Sequence, residues 1–182
     1  MKTRGNVVLF GMSKYKLSKS LIISVDEAQD LIDRYFMATK QLKSYLDKCS
    51  NYGLKHGYIR SFKPYSAIRW FPDWKKDLNS YKDSKLIGEI TRASYNTPIQ
   101  ATGALMTKLA LVKIRKYIID NKLEHKVKLI HVVHDATYTE CDIDFAEEFS
   151  KIQARLMIEA GEEFGLKLSM SCDITIKPYW SK

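Results

Sequence analysis

Residues 128–136 read KLIHVVHDA, and the chain resumes at once with Thr137-Tyr138-Thr139. Leu129, Ile130, Val132 and Val133 form an apolar run with β-propensity that delivers a carboxylate, Asp135, to its end beside His134. Beta-branched and aromatic residues on both sides of an interrupting His-Asp predict a tight antiparallel hairpin with an acid at its tip. Sheets seldom bury a carboxylate without a cationic partner or a metal. One reading is therefore a metal-binding Asp on a rigid β-platform. The plainer reading is a solvated turn residue, because Asp is a favoured turn former.

Working outward, the residues after the hairpin predict a helix started by Asp142 or Asp144 and carried by Phe145, Phe149, Ile152, Leu156 and Ala160, closing near Gly165. A final strand, LKLSMSCDITI (166–176), leads to Pro178-Tyr179-Trp180. Upstream, helical spacing covers 85–95, is interrupted at Pro98, and resumes from about Ala101 to Asp120. The second half thus reads α-β-β-α-β, an antiparallel α+β layer with helices on one face. The first half is mostly helical. Ser24-Val25-Asp26-Glu27 is a capping box opening a helix with Val25, Ala28, Leu31, Ile32, Tyr35 and Phe36 on its apolar side. Leu42, Tyr45 and Leu46 extend that pattern toward a stop near Gly53 or Gly57. Residues 58–84 lose periodicity and hold two prolines, several aromatics and many lysines. They predict a loop or short hairpin too long to be an idle connection.

The 182 residues suit one medium domain or two small ones, and no apolar run approaches membrane-spanning length. Cys49, Cys141 and Cys172 are scattered without metal-ligand spacing, which fits a reducing cytoplasm. The net charge is +9, and residues 1–100 carry all of it, with 18 Lys and Arg against 9 Asp and Glu. Such asymmetry points to a polyanionic partner, nucleic acid first and an acidic membrane second.

Arg92, Asn96 and Gln100 recur at four-residue steps, and their side chains suit hydrogen bonds to base and sugar edges. The alternative is a helix start capped by Asn96 with Pro98 in its first turn. Lys2, Asn6 and Phe10 also lie at near-helical spacing. A lysine and a ring on one face can hold a triphosphate and stack on a base; an ordinary amphipathic helix end reads the same way.

These motifs together resemble the C-terminal part of the family-A DNA polymerases. Lys2 followed by Phe10-Gly11-Met12-Ser13 is similar to the family's K-x7-Y-G fingers motif, and Arg92-Ala-Ser-Tyr-Asn96-Thr-Pro98-Ile-Gln100 to its R-A-x-x-N-x-P-x-Q palm segment. Val133-His134-Asp135 is similar to its V-H-D-E catalytic hairpin, and Gly57-Tyr58 and Pro72-Asp73 fall where the family has G-Y and L-P-D. The resemblance implies fingers over 1–84 and palm over 85–182. It implies Asp135 as one of two carboxylates for a Mg²⁺ pair, Lys2 at the dNTP phosphates and Phe10 on a base. It also implies Arg92, Asn96, Gln100 and His134 at the primer–template. Asn6 stands where the family commonly has an aromatic residue, and Ala136 replaces the Glu after the catalytic Asp. The first metal-binding Asp and the thumb are absent. The expectation is a split or truncated polymerase portion, viral for example, inactive without an N-terminal polymerase fragment and working in the cytoplasm. A non-catalytic nucleic-acid-binding remnant is the alternative; a small hydrolase built on His134, Asp135 and Glu140 or Asp142 is a weaker third.

Overall fold

The computed structural model describes residues 13–76, 83–167 and 169–179. Lys2, Asn6 and Phe10 lie outside them. Helices α1 (Lys14–Leu21), α2 (Val25–Ala38) and α3 (Lys40–His56) lead to strands β1 (Tyr58–Arg60) and β2 (Ile68–Trp70). Helix α4 (Ser84–Asp120), strands β3 (Val127–Val133) and β4 (Ala136–Cys141) and helix α5 (Ala146–Glu162) follow. The architecture is α+β, with two separate two-stranded antiparallel sheets. The described residues form two compact units, one of 13–61, 67–76 and 83–100, the other of 62–66, 101–167 and 169–179.

In the first unit the capping box forms as the sequence predicts. Ser24 Oγ accepts from the Glu27 N–H at 3.2 Å, and the Ser24 N–H donates to the Glu27 carboxylate at 2.9 Å. Hydrogen bonds from Ser24 hold the Glu27 carboxyl below its ordinary range. A lowered acid contributes stability above its ordinary pKa and loses it as pH falls through the lowered value. Ser24→Ala should cost about 1 kcal/mol in a urea melt, the usual loss of a helix N-cap. The helical run breaks once, at Thr39, before α3 ends on Gly57 with φ +76°. Gly53 lets α3 approach the first half of α4 closely: a Cβ there would sit 2.0 Å from Ser94 Oγ. Leu46, Ile59 and Ile90 are buried in this unit.

Helix α4 is continuous, whereas the sequence predicts a break at Pro98. Proline removes the N–H that the Ser94 carbonyl would accept, a cost of about 3 kcal/mol. Burial outweighs it. Pro98 and Ser94 are fully buried, Thr97 nearly so, and the Thr97 hydroxyl donates to the Ala93 carbonyl at 2.7 Å. Each large aliphatic side chain buried along the helix contributes about 1.5–3 kcal/mol in the opposite direction.

In the second unit Ile114 and Ile118 from α4, Val127 from β3 and Phe149 and Leu156 from α5 form the core. The spacing of Ile114 and Ile118 puts both on one helical face. Two further expectations are corrected. Neither Asp142 nor Asp144 caps α5 through its side chain; the N-cap is Phe145, whose N–H closes a backbone turn onto the Asp142 carbonyl at 3.0 Å. The predicted final strand does not form among the described residues, where 169–177 carry no strand. A strand needs a paired edge. Here Met170 packs instead on Gly161 of α5, where a Cβ would lie 2.6 Å from its Cε, and Cys172 Sγ lies 3.7 Å from Met157 Sδ. All three cysteines are free, and burial pushes each thiol above its ordinary range.

Candidate functional site

Strands β3 and β4 pair from Val127–Cys141 to Val133–Ala136, leaving His134 and Asp135 as a two-residue loop. Hairpins this tight favour primed turns, which place a positive φ at the first loop residue. His134 takes φ +54°. Histidine is among the non-glycine residues that tolerate this region best. The register slips between Leu129 and His131, so Ile130 is an extra residue on β3, a bulge that sharpens the local twist.

Helix α5 fixes this hairpin from one face. Gln153 donates to the Thr137 carbonyl at 2.9 Å and accepts from the Thr139 hydroxyl at 2.8 Å, while Val127 is buried in the core. Asp135 and His134 are both exposed at the tip. The expected hairpin with an acid at its tip is thus the observed arrangement, and it suits a metal-binding carboxylate and a solvated turn residue equally. Among the described residues no group of three His, Cys, Asp or Glu side chains is close enough to hold a metal ion. Asp135 accordingly belongs to no such group among the described residues.

The far side of β3 is open. Among the described residues its ladder runs only to β4. Ile130 and Val132 line an apolar groove with Val112 and Ile119 of α4, and these four side chains are 59%, 37%, 63% and 46% exposed. Unpaired edges and exposed apolar grooves favour association.

Arg92, Asn96 and Gln100 sit on α4 in the first unit, whereas His134 and Asp135 sit in the second. Arg92 and Gln100 are exposed and Asn96 is half-buried. Asn96 does not cap a helix, since α4 runs on through it. Among the described residues its Oδ1 is buried without a hydrogen-bond partner, as is Ser94 Oγ. A buried acceptor left unpaired costs about 1–3 kcal/mol.

One surface escaped the sequence reading. Tyr58 and Arg60 of β1 and Ile68 and Trp70 of β2 stand on the same face of the first hairpin, Tyr58 opposite Trp70 and Arg60 opposite Ile68. The signal was present as an aromatic and basic stretch at 58–70, but the strand register that aligns these residues was not.

Three comparisons agree. The family model "DNA polymerase family A" matches residues 2–182. The chain is 30% identical over 159 residues to the thermostable DNA polymerase I of Thermus thermophilus, covering 87% of this chain and 18% of that protein. It is 28% identical over 180 residues to DNA polymerase I of Deinococcus radiodurans, covering 98% of this chain and 17% of the relative. Its fold is similar, with a TM-score of 0.77 and 24% identity, to the POL domain of Pol1 from M. smegmatis, solved in complex with DNA primer-template and dNTP. That match covers 96% of this chain and 28% of the solved one. The chain therefore spans less than a fifth of the relatives' length. With motif, hairpin and whole-length family match in agreement, the chain belongs to DNA polymerase family A.

Proposed function

We propose that this chain works as part of a template-directed DNA polymerase, to which it supplies one metal-binding carboxylate and contacts to the primer–template. The observation that carries the reading is Asp135, exposed at the two-residue tip of a registered hairpin in a chain of this family. Hard divalent cations such as Mg²⁺ take six or so oxygen ligands, and one carboxylate offers two at most. Asp135 would hold such ions together with a second Asp from an N-terminal polymerase fragment. When bound, they neutralise charge on the attacking and leaving oxygens of nucleotide transfer. His134 touches the primer end, and Arg92, Asn96 and Gln100 donate to minor-groove acceptors present at every correct pair. Lys2 offsets triphosphate charge, and Asn6 and Phe10 flank the incoming dNTP. The open β3 edge and its apolar groove support a partner fragment on that side. Nucleotide addition would need this portion together with the polymerase portion that carries the second Asp, in a reducing, cytoplasmic setting.

A second reading, a non-catalytic nucleic-acid-binding remnant, is favoured by Ala136, which leaves no acid beside Asp135 in the sequence. Both readings need DNA binding. The net charge of +9 lies in residues 1–100, so phosphate contacts release counterions. Affinity for primed duplex should fall at least about tenfold between roughly 50 and 200 mM salt, without sequence preference. Arg92→Ala should weaken it further. A salt-insensitive affinity in a fluorescence anisotropy titration would remove the basis of both. Primer extension by the assembled pair separates the first from the second.

A further inference from the structure

The outward face of the β1–β2 hairpin is the surface that the proposed chemistry leaves unused. Its rings form a row. Tyr52 and His56, one turn apart on α3, have centroids 4.4 Å apart; Tyr52 meets Tyr58 at 5.4 Å, and Tyr58 meets Trp70 at 5.0 Å. The Tyr52 and Tyr58 hydroxyls are hydrogen-bonded at 2.7 Å, which fixes both rings. Arg60 lies over the Tyr58 ring, 5.5 Å from its centroid, and Lys55 adds exposed positive charge to the same unit, while Lys75 there is ion-paired with Asp83 at 3.9 Å. Trp70 is 63% exposed and Ile68 40%, while Ile59 on the opposite face is buried.

An apolar row of this kind costs free energy in water unless something covers it. Its platform is rigid. The Phe71 N–H donates to the Gly57 carbonyl at 2.9 Å, and Trp74 Nε1 donates to the Leu54 carbonyl at 2.7 Å, tying the hairpin to α3. Exposed Trp70 and Tyr52, in series with the half-buried Tyr58 and beside guanidinium and ammonium groups, match the chemistry of unpaired bases on a phosphate backbone. Every base has a π-face, so stacking needs no sequence, and arginine neutralises the intervening phosphate. Paired bases inside a duplex present no such face, and a blunt duplex offers it only at its two ends.

We infer that the Tyr58–Arg60–Trp70 face binds single-stranded DNA by base stacking. The inference rests on the polymerase reading for its biological substrate, an unpaired template strand, but the binding itself is independent of catalysis. An apolar protein partner is the competing occupant. The basic surroundings, within the half of the chain that carries all the net charge, favour the nucleic acid.

The test is fluorescence anisotropy of a labelled oligothymidine strand and of a blunt duplex against the full chain. Trp70→Ala and Tyr58→Ala should each weaken oligothymidine binding about 5- to 150-fold, the range for losing one stacked base. Trp70→Phe should restore most of the loss, and none of the three should weaken the blunt duplex comparably. Tryptophan fluorescence should be quenched by oligothymidine in the unmutated chain and much less so in Trp70→Ala. Unchanged thermal melts, expected for so exposed a side chain, exclude misfolding. The inference is overturned if the chain does not bind oligothymidine or if Trp70→Ala binds it normally. It is equally overturned if that substitution only dissociates a self-associated chain without changing DNA affinity. Should primed-duplex binding keep its dependence on Arg92 under any of these results, the polymerase reading stands and the stacking face alone falls.

Discussion

Asp135→Asn in a polymerase assembled from this chain and an N-terminal fragment should lower nucleotide addition about a thousandfold, roughly 4 kcal/mol of lost transition-state stabilisation. The amide keeps the size and one oxygen of the carboxylate but removes its charge. Held at the tip of the β3–β4 hairpin, away from the core, the substitution should leave folding intact. Binding to primed duplex should change little, because Asp135 contributes no attraction to phosphate. His134→Ala should cost less, since a primer contact positions the substrate without holding charge at the reacting atoms. Quench-flow primer extension measures the rates, and anisotropy measures the binding.

Gly57→Val should destabilise the first unit by about 2–5 kcal/mol, from two independent causes. The backbone φ of +76° lies where a β-branched side chain is strained. A Cβ there would also come within 2.7 Å of the Trp74 ring. That ring cannot swing away cheaply, because its Nε1 is hydrogen-bonded to the Leu54 carbonyl. Urea melts followed by tryptophan fluorescence would register the loss, and the core around Phe149 in the second unit should be unaffected. If Gly57→Val melted like the unmutated chain, the hairpin would not be seated on α3 as described.

What the sequence discloses here follows the range of the interactions involved. The Ser24–Glu27 box, the stop at Gly57 and the His134–Asp135 hairpin are set by neighbours a few residues apart, and each is legible in the chain. The buried face of α4 is not, because helical period alone does not separate Ile114 and Ile118, which are buried, from Val112 and Ile119, which are exposed. Pro98 is not, since its place inside α4 depends on the burial of Ser94 and Thr97 against other elements. The absent final strand fails for a related reason. Its apolar residues satisfy any strand template, but Met170 and Cys172 meet α5 rather than an open ladder. The position of Asp135 at a hairpin tip was readable from its flanking residues. The ring row of Tyr52, His56, Tyr58 and Trp70 was not, because it exists only once two strands and a helix are in register.

Whether Asp135 holds a metal ion is best measured as binding, apart from turnover. Mn²⁺ binding to the assembled pair with primer–template, followed by electron paramagnetic resonance, should be at least about tenfold weaker for Asp135→Asn than for Asp135, as expected when a metal site loses an anionic oxygen ligand. Equal Mn²⁺ affinity in the two assemblies would show that Asp135 is a turn residue and would contradict the account at its centre.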